Sequence, residues 1–213
     1  MKTASGHYIP LSPQRKMVGD MLYAGSQLTL IPGERTMQLA EVVAARNGAR
    51  PRPSWLALFI KAYAAVAARR PELRRVLVNY PWQRLYEYKE NIVSVVMERE
   101  WQGEPGLFLA RIPSPEKMSL AEIDVVLKNY KERPVEQIRG FRNALWFARL
   151  PLFLRRGFWS LVMNWMPGLR AKMLGTMGCS ITAGMGGTAL ALTTPWTLTF
   201  FYDQVKDDGS QVV

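Results

Sequence analysis

The residues best suited to chemistry lie in one run, Gly175 to Leu192, "GTMGCSITAGMGGTALAL", which is rich in glycine, holds the chain's single cysteine and carries no charge. A phosphate-binding loop needs a lysine and a hydroxyl straight after its glycines, and no lysine follows here. A nucleophile elbow needs Gly-x-Ser-x-Gly, but Ser180 stands two after Gly178 and four before Gly184. Cys179 as a nucleophile lacks a base, because the only histidine is His7, far away in sequence. What remains is a strand that presents hydroxyls beside a turn of small residues. Alternation along "SITAG" puts Ser180 and Thr182 on one face and Ile181 on the other. A hydroxyl held at a strand end can donate to a developing oxyanion, a contribution of about 2.7–4 kcal/mol for one donor. The plainer alternative is a pair of ordinary strand hydroxyls.

Such a strand must be held by others. "TLTFFYDQV" alternates like a strand, so Gly175–Thr182 and Thr197–Tyr202 read as strands on either side of a glycine-rich connection. Upstream, "WQRLYEYK", "NIVSVVMERE" and "GLFLARI" are β-branched and aromatic, the last two forming a hairpin across Gly103 to Gly106. Helices are predicted around them. Ser12 and Pro13 open one that ends near Gly25, and Ser54 opens another that stops before Pro71 and in which, from Trp55 to Ala68, only Lys61 is charged. "TMQLAEVVAARNG" reads as a helix closed by Gly48, and "SQLTLI" before it as a short strand. In "SPEKMSLAEIDVVLKNYKERP", Ser114 is the expected cap, with Leu120, Ile123, Leu127 and Tyr130 on one face. The segment "ALWFARLPLFLRRGFWSLVMNWMPGLRAKML" is apolar but broken by Arg149, Pro151, Arg155, Arg156 and Gly157, so it does not span a bilayer. It reads either as a broken helix packed on the body, which is favoured, or as an interfacial helix.

Charge narrows the partners. Lys and Arg number 28 against 17 Asp and Glu, a net +11, and no acidic residue lies between Glu136 and Asp203. Arg139, Arg142, Arg149, Arg155, Arg156, Arg170 and Lys172 fill that interval, which suits an anionic partner such as a phosphorylated donor or a membrane surface. Nucleic acid is disfavoured because no zinc-finger, basic-zipper or RNP-type pattern is present. One Cys and one His cannot supply a zinc site, so no metal is expected. With no internal disulfide possible and no signal-peptide pattern at the start, the expected compartment is the cytoplasm, with peripheral membrane contact as an option.

The order of these segments resembles the catalytic domain of the E2 acyltransferases of 2-oxoacid dehydrogenase complexes, which share a fold with chloramphenicol acetyltransferase. "YIPLSPQRKMVGDML" resembles that family's opening helix and "SWLALFIKAYAAVAARRPELRRVL" its long buried helix. "KENIVSVVM", "PEKMSLAEI" and "GCSITAGMGG" are similar to its next strand, its following helix and its "TISNLGMFG"-like strand and turn. The resemblance implies an α/β (α+β sandwich) fold with a largely antiparallel mixed sheet covered by helices. It also implies a homotrimer and an active site between subunits. One domain is expected over residues 1–213, with a basic apolar helical insert at about 139–173.

In that family a histidine of a His-x-x-x-Asp-Gly motif deprotonates a thiol or hydroxyl, which attacks an acyl thioester, and a Ser/Thr hydroxyl stabilises the oxyanion. The matching position here is Thr182, with Ser180 as an assistant. The His-x-x-x-Asp-Gly motif is missing, so the expectation is a C-terminally truncated acyltransferase or, as its rival, a catalytically inactive oligomeric or membrane-surface relative. A lipid-binding protein using the same groove is a third option. Chain ends concentrate mobility, which counts against His7 as a substitute base. The implied donor is coenzyme A or a pantetheine-type carrier, its phosphates met by arginines of the basic stretch, with no lipoyl group within this chain. The apolar insert points to a stand-alone enzyme with a small-molecule or lipid-like acceptor.

Overall fold

The computed structural model describes residues 8–181, 194–202, 205 and 210–212. Helix α1 (Pro13–Gly25) begins where the sequence predicts, with the Ser12 hydroxyl accepting from Arg15 N at 3.3 Å and Pro13 filling a position whose N–H would be unused. Strand β1 (Thr36–Gln38) and helix α2 (Ala40–Gly48) follow. The expected strand at "SQLTLI" does not form: Ile31 is 92% exposed, and extended chain without a ladder partner stays coil. The strand forms instead at the start of the run read as helix, because β1 pairs antiparallel with β8 (Ser210–Val212), a partner no local pattern reveals.

Helix α3 (Trp55–Arg69) is capped by Ser54, whose hydroxyl accepts from Ala57 N and donates to Asp124. Its one lysine, Lys61, is half-buried and donates to the carbonyls of Glu116 (3.5 Å) and Met118, which explains a charge inside an apolar helix. A short turn (Pro71–Arg74) leads to the β2 (Arg75–Val78) and β3 (Arg84–Glu87) hairpin. Then come β4 (Ile92–Trp101) and β5 (Glu104–Pro113), joined across Gln102 and Gly103, both with positive φ. Helix α4 (Leu120–Glu132) is capped by Ser119 rather than Ser114. Ser119 and Glu122 form a reciprocal capping box, and the backbone hydrogen bond from Ser119 holds the Glu122 carboxyl below the usual carboxylate range. Ser114 instead takes a left-handed turn before the short helical turn Pro115–Lys117.

The apolar basic stretch forms α5 (Arg139–Phe147), α6 (Leu152–Asn164) and α7 (Pro167–Leu174). Pro151 and Pro167 divide it, since neither can continue a helix from the preceding turn. Strands β6 (Met177–Ile181) and β7 (Thr199–Tyr202) complete a sheet in the order β5-β4-β6-β7. It is mixed: β4 and β5 are antiparallel, while β4 and β6, and β6 and β7, are parallel.

The sheet lies between two helical layers. One face packs on α3 and α4, where Ile60, Ala64, Val93, Val95, Ile112 and Cys179 are fully buried. Burying a side chain the size of Ile60 stabilises the fold by about 1.5–3 kcal/mol. The other face carries Ala24 of α1, Trp159 and Val162 of α6, and Trp196. Arg155 of α6 reaches Asp20 of α1 at 2.5 Å, both side chains buried. Among the described residues no helix is long and apolar enough to cross a membrane.

Candidate active site

The candidate strand is β6, and hydroxyls clip its start in place. Gly175, just past α7, has φ +82, and a Cβ there would stand 2.5 Å from Ser94 Oγ and 2.7 Å from Ile92 O. Both facts require glycine. Thr176 then bridges to the start of β4: its N–H donates to Ile92 O at 2.8 Å, and its hydroxyl accepts from Ile92 N at 2.8 Å. Ser94 Oγ donates to Leu174 O at 2.5 Å, and the Trp196 indole donates to the same carbonyl at 2.6 Å. Sequence reading missed Ser94, Thr176 and Trp196 as positioning residues. All three act across long sequence separations, which periodicity does not detect.

Gly178 has a packing reason. A Cβ on it would lie 2.3 Å from Trp196 Cε3, so the buried indole lies flat on the β6 backbone. Cys179 points the other way into the α3 core, fully buried. Burial pushes its thiol well above the ordinary range, and a thiol kept neutral is inert as a nucleophile.

Ser180 follows, half-buried, on the face shared by Gly178. The β4–β6 ladder stops at Val95–Cys179, whereas the β6–β7 ladder continues through Ser180–Phe201 and Ile181–Tyr202. Ser180 therefore sits where β6 parts from β4, at the carboxyl ends of two parallel strands. Open sheets bind ligands beyond such strand ends. Thr182 and His7 lie outside the described residues, as does the glycine-rich run from 183 to 192. The structure thus brings Ser180 to a strand end and leaves its pairing with Thr182 as an inference from the sequence.

Not all the expected cations are free to meet a ligand. Arg155 is buried against Asp20 and also donates to Leu150 O at 3.1 Å. Arg170 is buried, donates to Pro195 O at 2.9 Å and is shifted below the ordinary guanidinium range by desolvation. Burial pushes the neighbouring Tyr88 phenol up to about 12, and its hydroxyl donates to Pro167 O at 3.1 Å. Arg156 stacks over Tyr23, 3.9 Å from the ring centroid. Arg139, Arg142, Arg149 and Lys172 are exposed. Among the described residues no three His, Cys, Asp or Glu side chains converge as a metal site.

No protein-family model and no curated protein sequence matches this chain. Solved structures do match. The chain aligns with the dihydrolipoamide acetyltransferase (E2p) of Azotobacter vinelandii with a TM-score of 0.65 at 14% identity, covering 99% of this chain and 82% of that one. The chain has the fold of an E2 catalytic core.

The cubic core of the pyruvate dehydrogenase multienzyme complex gives a TM-score of 0.62 at 14% identity, over 99% of this chain and 81% of that one. The truncated catalytic core of the 2-oxoacid dehydrogenase multienzyme complex of Thermoplasma acidophilum gives 0.61 at 10% identity, over 98% and 85%. The E2-core, chloramphenicol acetyltransferase-like α/β architecture expected from the order of segments is thus present. In the Azotobacter protein a serine, a histidine and an asparagine have a role in the catalytic mechanism.

Proposed function

We propose that this chain is an acyltransferase that moves an acyl group from a coenzyme A or pantetheine-type thioester to a thiol or hydroxyl acceptor. The observation that carries the reading is the E2-core fold over 99% of the chain, with Ser180 at the end of the strand that leads into Thr182. In this reaction the acceptor oxygen or sulfur attacks the thioester carbonyl as its proton passes to a general base, a role that the family's His-x-x-x-Asp-Gly histidine fills and that no residue of this sequence is assigned. The carbonyl oxygen becomes an oxyanion, and collapse expels the donor thiol, which takes a proton. Thr182 supplies the hydroxyl that donates to that oxyanion, with Ser180 assisting, a stabilisation present only once charge develops. The exposed Arg139, Arg142, Arg149 and Lys172 are the cations of the basic stretch left to meet the donor's phosphates, since Arg155 and Arg170 are committed to protein groups. The active unit is a homotrimer working in the cytoplasm, with an acceptor of apolar, lipid-like character.

A second reading, a catalytically inactive E2-like interaction protein, is favoured by one observation: α6 exposes large apolar side chains, Phe153 at 73% and Leu161 at 45%. Incubation of the full chain with acetyl-coenzyme A and a panel of thiol and hydroxyl acceptors, read as release of free thiol, separates the two. Acceptor-dependent release supports transfer. A background rate with every acceptor, thiols already ionised at mildly alkaline pH included, from protein shown to be folded, refutes it.

A further inference from the structure

Helix α6 is apolar on both sides. Its inner face holds Arg155, Trp159, Val162 and Met163, all buried. On its outer face Phe153, Gly157 and Leu161 recur every fourth residue, which keeps them on one stripe roughly 12 Å long, and Trp165 follows just past the end of the helix. Phe153 is 73% exposed and Leu161 45%, and a Cβ added at Gly157 meets nothing within 4 Å. Leu152 and Leu154 widen the stripe at the amino end. At the other end Trp165 stacks on Tyr80, ring centroids 5.4 Å apart, and the β2–β3 hairpin is pinned there by Tyr80 N donating to Asn164 O at 3.2 Å. Exposed apolar side chains grouped on one helix face mark an interaction surface, unlike apolar residues scattered singly.

Charge selects the partner. Against α6 pack α1, α5, α7 and β2; the one carboxylate on those elements, Asp20, is buried against Arg155, and Glu87 of the neighbouring β3 is paired with Arg75. Exposed Arg149 precedes the helix, and exposed Lys172 lies on α7. A second copy seated face to face would set these cations against each other with no carboxylate to meet them. An anionic lipid surface satisfies both features, taking the apolar stripe below its headgroups and the cations at its phosphates.

We propose that the outer face of α6 docks on an anionic bilayer surface, with Phe153, Leu161 and Trp165 entering the boundary between headgroups and acyl chains and Arg149 and Lys172 at the lipid phosphates. The docking is peripheral; it takes Arg149 and Lys172 to the lipid, leaving Arg139 and Arg142 to the donor's phosphates, and it is read by vesicle binding without any turnover.

The test is co-sedimentation of the full chain with vesicles of phosphatidylcholine alone, or with about one third phosphatidylglycerol. The chain binds the anionic vesicles at low salt and less at high salt, where screening shortens the reach of the cations. Phe153→Ser and Leu161→Ser each weaken binding by about tenfold or more, the loss expected when one large side chain no longer leaves water. Their melting temperatures stay at the wild-type value, because both residues lie outside the core. Val125→Ser, at an exposed position on α4 across the sheet, leaves binding unchanged. Three outcomes each overturn the proposal: no uptake by anionic vesicles at low salt, equal uptake by Phe153→Ser, or self-association that Leu161→Ser abolishes without any vesicle binding.

Discussion

Replacing Gly178 by alanine tests whether this glycine serves packing or a ligand. The new methyl would sit 2.3 Å from Trp196 Cε3 and 2.8 Å from both Cδ2 and Cζ3, closer than van der Waals contact allows. The indole has nowhere cheap to go: it is 3% exposed, and its N–H is spent on Leu174 O at 2.6 Å. Overpacking costs about 1–3 kcal/mol. Stretching a buried hydrogen bond toward breakage adds up to about 1–3 kcal/mol. Restricting the unfolded chain returns about 0.4–1 kcal/mol. The net expectation is a loss of about 2–4 kcal/mol, or a fall in melting temperature of roughly 5–15 °C for a chain of this size. Urea unfolding followed by tryptophan fluorescence, with calorimetry, measures it. Trp196→Ala alone leaves a cavity and costs about 3–5 kcal/mol. The double variant should cost little more than Trp196→Ala, because the clash has gone, giving a coupling of about 2 kcal/mol or more. A Gly178→Ala protein within about 0.5 kcal/mol of wild type, or full additivity with Trp196→Ala, would refute the packing argument.

Four further outcomes follow from the same geometry. Cys179 should resist an aromatic disulfide reagent at mildly alkaline pH until the chain unfolds, since the thiol is buried and held neutral; stoichiometric labelling of folded protein within a minute would contradict this. Burial raises Cys179, Tyr202 and Tyr88 above their unfolded values. Their contribution to stability is complete below the unfolded thiol value and is lost as pH rises, so the urea midpoint should fall from about pH 8.5 upward; a rising midpoint would show the sign to be wrong. Asp20→Asn leaves Arg155 buried without a counter-charge and should cost about 3–5 kcal/mol in urea unfolding, while the paired Asp20→Leu, Arg155→Met variant recovers most of it; a single-variant cost under about 1 kcal/mol would count against the buried pair. Ser119→Ala should lose about 1 kcal/mol by thermal unfolding and Ser114→Ala less than about 0.5 kcal/mol, and the reverse order would restore Ser114 as the cap.

What could be read from the sequence was what acts locally. Ser12 with Pro13, and Ser54 before its apolar run, are signals contained within one turn, and both helices start where those residues stand. Ser114 misled because Ser-Pro is itself a helix-opening pattern, and only the Ser119–Glu122 reciprocity decides between the two. β1 was out of reach because its partner β8 lies at the far end of the chain, and "SQLTLI" carried a strand-like pattern with no strand to pair with. The glycine-rich run was visible as unusual, but the reason for Gly178 is Trp196, and that for Gly175 is the Ser94 hydroxyl and the Ile92 carbonyl, neither of which a motif encodes. At the candidate site, alternation puts Ser180 and Thr182 on one face with Ile181 opposite, and Thr182 lies outside the described residues. The assignment of Thr182 rests on the E2 resemblance, because a lone strand hydroxyl has no signature of its own.

The most direct test of the oxyanion role compares wild type, Thr182→Ser and Thr182→Ala in acyl transfer from acetyl-coenzyme A. If the residue donates to the developing charge, Thr182→Ala loses about 10²–10³ in kcat with KM for the donor nearly constant, and Thr182→Ser keeps most of the rate. Equal kcat for Thr182→Ala and wild type, or a loss confined to KM, would contradict it.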